Sequence, residues 1–130
     1  MQGESIDLGY DGGLTCSIQV TNLANAMKWY GDMLGFKTLY KLDDMGWGEM
    51  STHIPRVNLG IGQVEKITAT GNCKLTFGVK NVDQTRKQLE AKGVKFDGPT
   101  IEIPGMVKLA TFFDMDKNIV MFYQDLQSAH

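Results

Sequence analysis

The chain has 130 residues, 42% hydrophobic and 22% charged, which suits one domain with its own core and excludes general disorder. Its net charge of −2 argues against a nucleic-acid partner, which needs a basic face. No apolar run reaches membrane-spanning length, and Met1–Ser5 lacks the charged-then-apolar pattern of a secretory signal.

The first predicted strand is Leu14-Thr15-Cys16-Ser17-Ile18-Gln19-Val20, apolar at every second position and so buried on one face. Asn22 is a candidate N-cap. Leu23, Ala26, Met27, Tyr30, Met33 and Leu34 have helical spacing, and Gly35 stops the helix. Phe36 to Leu42 reads as a strand, Asp43-Asp44-Met45-Gly46 as a turn, Trp47 to Ile54 as a third strand and Val57 to Val64 as a fourth. Residues 65–72 form a natural linker. Lys74 to Val79 is again a strand. Asn81, with Gln84 three residues on, caps a helix that runs to Lys92 and stops at Gly93. Val94 to Phe96 opens a strand that Asp97-Gly98-Pro99 interrupts before Thr100 to Ile103. Val107 to Phe113 and Ile119 to Tyr123 complete the series around a turn at Asp114 to Asn118. Cys16 and Cys73 lie in strand-like runs and suit a reduced, cytoplasmic setting.

The order strand, helix, three strands therefore occurs twice. Val20-Thr21-Asn22-Leu23 overlays Val79-Lys80-Asn81-Val82, 59 residues apart, and Phe36 overlays Val94, 58 residues apart. The predicted fold is α+β: one domain of two βαβββ modules, about 12–66 and 72–126, whose curled mixed sheets surround a concave cleft with helices on the outside. Strand alternation sends Thr15 and Ser17 of the first copy, and Lys74, Thr76, Met121 and Tyr123 of the second, to the faces opposite the helices. Trp47, Glu49 and Phe112 from the third strands are the nearest further candidates for lining a small-molecule cleft. Lys74 could meet an anionic group, though a long side chain also reaches solvent at a rim.

Ile18-Gln19-Val20-Thr21-Asn22-Leu23, Trp29-Tyr30 with Leu34-Gly35-Phe36, and Asp114-Met115-Asp116-Lys117-Asn118-Ile119 occur in this order and spacing. By them the chain resembles the vicinal oxygen chelate superfamily, the glyoxalase/bleomycin-resistance/extradiol dioxygenase fold, from about Leu14 to Asp125. Enzymes of that group hold a divalent metal with His, Glu or Gln from the first and last strands of the modules. The corresponding positions here are Thr15, Lys74, Met121 and, in the fourth strand, a residue near Asn58 or Gly60. Thr, Lys and Met cannot replace such donors, so the expected site has no metal and no cofactor.

Other constellations carry less. Asp114, Asp116 and Asn118 open like a calcium loop but lack its Gly and closing Glu, so a hairpin turn is the better reading. His53 and Glu49 could form an acid/base pair or stand apart at a rim. What the resemblance implies is a metal-free protein that sequesters a planar or amphipathic ligand, in the manner of the antibiotic-resistance relatives, as a cytoplasmic homodimer. The alternatives are a metal-dependent lyase, isomerase or dioxygenase of the glyoxalase type, and a ligand-free scaffold or regulatory module.

Overall fold

The computed structural model describes residues 9, 11, 13–68 and 74–126. Cys73, His130, most of the N-terminal segment and the end of the linker lie outside them. The first module is β1 (Leu14–Val20), α1 (Leu23–Leu34), β2 (Lys37–Leu42), a 3-10 turn (Asp43–Met45), β3 (Trp47–Ser51) and β4 (Val57–Gln63). The second is β5 (Leu75–Gly78), α2 (Val82–Ala91), β6 (Ile101–Ile103), β7 (Val107–Phe113) and β8 (Ile119–Asp125). The strand orders are β1-β4-β3-β2 and β5-β8-β7-β6. In each, the first strand runs parallel to the last and the remaining pairs are antiparallel. The fold is thus α+β with two βαβββ modules, each a four-stranded mixed sheet. No helix among the described residues is long and apolar enough to cross a membrane.

The repeat extends to the helix starts. Asn22 accepts from Asn25 N and Asn81 from Gln84 N, at 2.9 and 3.0 Å. A glutamine from each module's last strand takes the next orphan amide: Gln63 Oε1 accepts from Leu23 N at 2.7 Å and Gln124 Oε1 from Val82 N at 2.9 Å. Each helix start is therefore tied to its own sheet through side chains, which satisfies amides that have no intrahelical partner. Gly35 ends α1 in the left-handed region at φ 74°, where a side chain would be strained.

Three of the expected strands that are shorter have a visible local cause or break. The third stops at Ser51, because Thr52–Arg56 folds into a turn in which Thr52 Oγ1 donates to Val57 O at 2.6 Å and accepts from Ile54 N at 3.1 Å. Of Val94 to Phe96, only Phe96 bridges another strand, opposite Phe112. The Arg86 guanidinium lies 4.6 Å from the Phe96 ring centre. β6 begins at Ile101, since Thr100 is engaged by Arg86 Nη1 at 3.2 Å.

One core serves both modules. Val20, Leu23, Tyr30, Met50, Leu59 and Ile61 from the first meet Leu75, Leu89, Phe112, Val120 and Phe122 from the second. Helix α1 is more than an outer cover. Its Trp29 ring lies 6.5 Å from that of Phe112, and Tyr30 is fully buried, donating to Asp114 Oδ2 at 2.9 Å.

Candidate functional site

On the first sheet, β1, β4, β3 and β2 bring Ser17, Gly60, Glu49 and Tyr40 into one row, with Thr15, Asn58 and Ser51 in the row beside it. Gly48 and Met50 point the other way, since a β-carbon at Gly48 would strike Met27 of α1. The helix-free face is therefore polar, as alternation predicts. It carries a chain of neutral donors converging on one carboxylate. Trp47 Nε1 donates to Tyr40 Oη at 3.1 Å, Tyr40 Oη to Glu49 Oε1 at 2.9 Å, and Asn58 Nδ2 to Glu49 Oε2 at 3.1 Å. The Trp47 ring lies against Gly60, where any β-carbon would collide with it. Glycine at 60 is thus what lets the indole settle on the sheet.

The second sheet repeats the device with other residues. Thr76, Met121 and Thr111 form one row; Gly78, Tyr123, Leu109 and Ile101 form the next. A β-carbon at Gly78 would lie 2.9 Å from the Tyr123 ring, so this ring too rests on a glycine. Tyr123 is 40% exposed.

Of the residues expected at the site, Thr15, Ser17, Trp47 and Glu49 share the open face of the first sheet, and Thr76, Met121 and Tyr123 that of the second. Lys74 is exposed just before β5. It borders a recess of about 280 Å³ together with Thr76 and with Asn58, the residue that binds Glu49. Phe112 does not belong to the set. It is fully buried on the helix side of β7, one position out of phase with Thr111, and packs on Phe96 and Phe122 at 5.1 and 4.9 Å. Nor do His53 and Glu49 pair: His53 Nε2 lies 3.0 Å from Leu34 O, in the turn after β3. Tyr40 and Asn58 complete the cluster around Glu49. Their place depends on strand register, which composition does not reveal.

The calcium-like run resolves as a fastening between modules. Asp114 Oδ1 accepts from Asp116 N and Asn118 N at 2.8 and 2.9 Å. Asp116 accepts from Thr21 N and Thr21 Oγ1 at 3.0 and 2.7 Å, and Asn118 Nδ2 donates to Gln19 O at 2.9 Å. Burial, with the Asp114 carboxylate beside it, holds the Tyr30 hydroxyl proton well above the ordinary phenol range.

The sequence model of the Glyoxalase/Bleomycin resistance protein/Dioxygenase superfamily matches residues 14–122. The chain belongs to that superfamily. No curated protein sequence matches it. Among solved structures of the glyoxalase/bleomycin resistance fold, a superfamily member from Sphaerobacter thermophilus aligns with a TM-score of 0.77 at 18% identity, over 91% of this chain and 100% of that one. TnmS3, an antibiotic binding protein from Streptomyces sp. CB03234, aligns at 0.74 and 21%, over 91% and 98%. Lactoylglutathione lyase from Agrobacterium tumefaciens aligns at 0.73 and 14%, over 94% and 99%. A binder and a lyase resemble this glyoxalase-fold chain almost equally, so fold alone does not select an activity.

The family's metal can be tested against the donors present. Gly60 pairs with Ser17 as Met121 pairs with Thr76, so Gly60 is the fourth-strand counterpart of Met121. The four positions then hold Thr15, Gly60, Lys74 and Met121, one of them without a side chain and one cationic. Among the described residues no three His, Cys, Asp or Glu side chains gather. This donor set does not fit a divalent ion.

Proposed function

We propose that this member of the superfamily is a metal-free small-molecule-binding protein, holding a planar or amphipathic ligand against the open sheet faces. One observation carries the reading: Trp47 lies on Gly60 and is fixed by the Tyr40–Glu49–Asn58 hydrogen bonds. A half-buried ring locked in one pose is a ready stacking surface, because little rotamer freedom remains to be lost on binding. Tyr123 supplies a second ring, and Lys74, Thr15, Ser17, Thr76 and Met121 the surrounding polar and pliable contacts. The antibiotic-binding relative supports this class of ligand. Against the lyase or dioxygenase alternative stands the lack of suitable metal donors.

Each ring is expected to contribute about 0.5–1.5 kcal/mol beyond buried area. Titration with a library of aromatic carboxylates and glycopeptides should quench tryptophan fluorescence saturably for at least one compound. Calorimetry on Trp47→Ala should show that compound bound roughly 2–10-fold more weakly, and Lys74→Met should weaken it also. Undiminished binding by Trp47→Ala would remove the site from this face.

The working form is proposed to be a homodimer. Strands β2 and β6, equivalent edges of the two sheets, expose Leu39 (51%), Leu42 (43%), Ile101 (59%) and Ile103 (41%), and sheet edges need covering. Light scattering at micromolar concentration should give twice 14.4 kDa. A mass of one chain throughout that range would refute the dimer.

A further inference from the structure

The repeat breaks down at one place. In the second module the turn after β7 closes on α1 through Tyr30 and Asp114. The strand registers make Thr52 the counterpart of Asp114, since Ser51 pairs with Asn58 as Phe113 pairs with Ile119. The two turns share an internal bond: Ile54 N donates to Thr52 Oγ1 at 3.1 Å as Asp116 N donates to Asp114 Oδ1 at 2.8 Å. What differs is the helix opposite. Where α1 presents Trp29 and Tyr30, α2 presents Gln88 and Leu89. Two large rings are replaced by an amide and an isobutyl group, and no hydroxyl reaches the turn.

The space so released is a groove of about 900 Å³, at the upper end of the range that holds small organic ligands. Phe36, Phe77, Leu89 and Phe122 form its apolar wall, with Ile54 at the turn side. Its chemistry is one-sided: among the described residues no carboxylate lines it, and Lys92 is its one fixed cation. Lys92 Nζ donates to the Asp32 carbonyl at 3.3 Å, a long bond to a neutral acceptor that an anion would displace. His53 Nε2 occupies the other rim.

We propose that this groove is a second binding site, separate from Trp47, for an amphipathic molecule with an apolar body and a single anionic head, such as a straight-chain carboxylate. The hydrocarbon lies along the phenylalanine wall and the carboxylate meets Lys92. Sodium dodecanoate, titrated below its micellar concentration into the full chain, should bind once per chain. Dodecyltrimethylammonium should bind at least tenfold more weakly. Lys92→Met should weaken dodecanoate at least fivefold and erase the preference between the two heads. Leu89→Trp should abolish binding by refilling the space, and if that variant does not fold, the Lys92→Met comparison decides alone. Tyr123 also lines the groove, so the separation is from the first sheet's face: Trp47→Ala should leave dodecanoate binding unchanged, and failure here would not touch the Trp47 part of the aromatic titration, nor the reverse. The proposal is overturned if dodecanoate does not bind, as when a second copy of the chain fills the groove. It is equally overturned if the two heads bind alike, if Lys92→Met binds as the parent does, or if Trp47→Ala weakens dodecanoate.

Discussion

Asp114→Ala should unfold at a far lower urea concentration than the parent chain, with a loss on the order of 3–4 kcal/mol. The side chain is 5% exposed. Its two oxygens accept from Asp116 N, Asn118 N, Tyr30 Oη and Asn118 Nδ2. Alanine would leave buried donors without partners, which costs more than the bonds themselves contribute. Tyr30→Phe tests the same contact from the other side and should lose less, about 1.5–3 kcal/mol, because the remaining three donors still serve the carboxylate. The contact also has a pH signature. The Tyr30 pKa is held well above the ordinary phenol range by burial first and by Asp114 second. A phenol whose folded pKa is raised contributes stability that is complete below the unfolded value and is lost as pH rises toward the folded one. The parent should therefore weaken with alkali from about pH 10 upward, and Tyr30→Phe should show less of that slope. An unchanged urea midpoint for Asp114→Ala would mean that this turn does not fasten the modules.

Phe112→Ala is expected to be comparably severe, about 3–5 kcal/mol, as for other large rings removed from close-packed interiors. Phe112 is fully buried and touches the rings of Trp29, Phe96 and Phe122, so it joins α1 to the second sheet. If instead the ring lined a ligand cleft, its loss would weaken binding and spare the fold. Measuring both quantities on Phe112→Ala and Trp47→Ala separates the cases. The first variant should lose stability. The second should lose affinity and keep most of its stability, because Trp47 rests on the helix-free face of the first sheet, outside the core.

Much of this architecture could be read directly from residue order. Apolar alternation in β1 and β5, the asparagine caps and the Gly35 stop are local signals, and each appears where the pattern placed it. For Phe112 the expected face and the observed one differ, for an equally local reason. In Val107–Phe113 the apolar residues fall on both phases, so alternation alone cannot choose. A bulge hides the pairing of Tyr40 with Glu49. β2 pairs Thr38 with Met50 but Tyr40 with Glu49, a one-residue slip that brings Tyr40, instead of Leu39, onto the face of Glu49. The Asp114–Tyr30 contact joins residues 84 apart, and no periodicity reports such a distance. The groove beside Leu89 became visible only when the two halves could be compared turn against helix.

That same 84-residue separation acts on the chain while it is being made. At ribosomal rates of about 5–20 residues per second, residue 114 follows residue 30 by roughly 4–17 s. Throughout that interval α1 has been synthesised while the acceptor for its Tyr30 hydroxyl and the ring that meets Trp29 have not. The N-terminal half therefore cannot complete its interior on its own schedule, and the last hairpin to emerge is the one that finishes the first helix. In a nascent chain the two repeats are not independent folding units: the earlier one waits for the later.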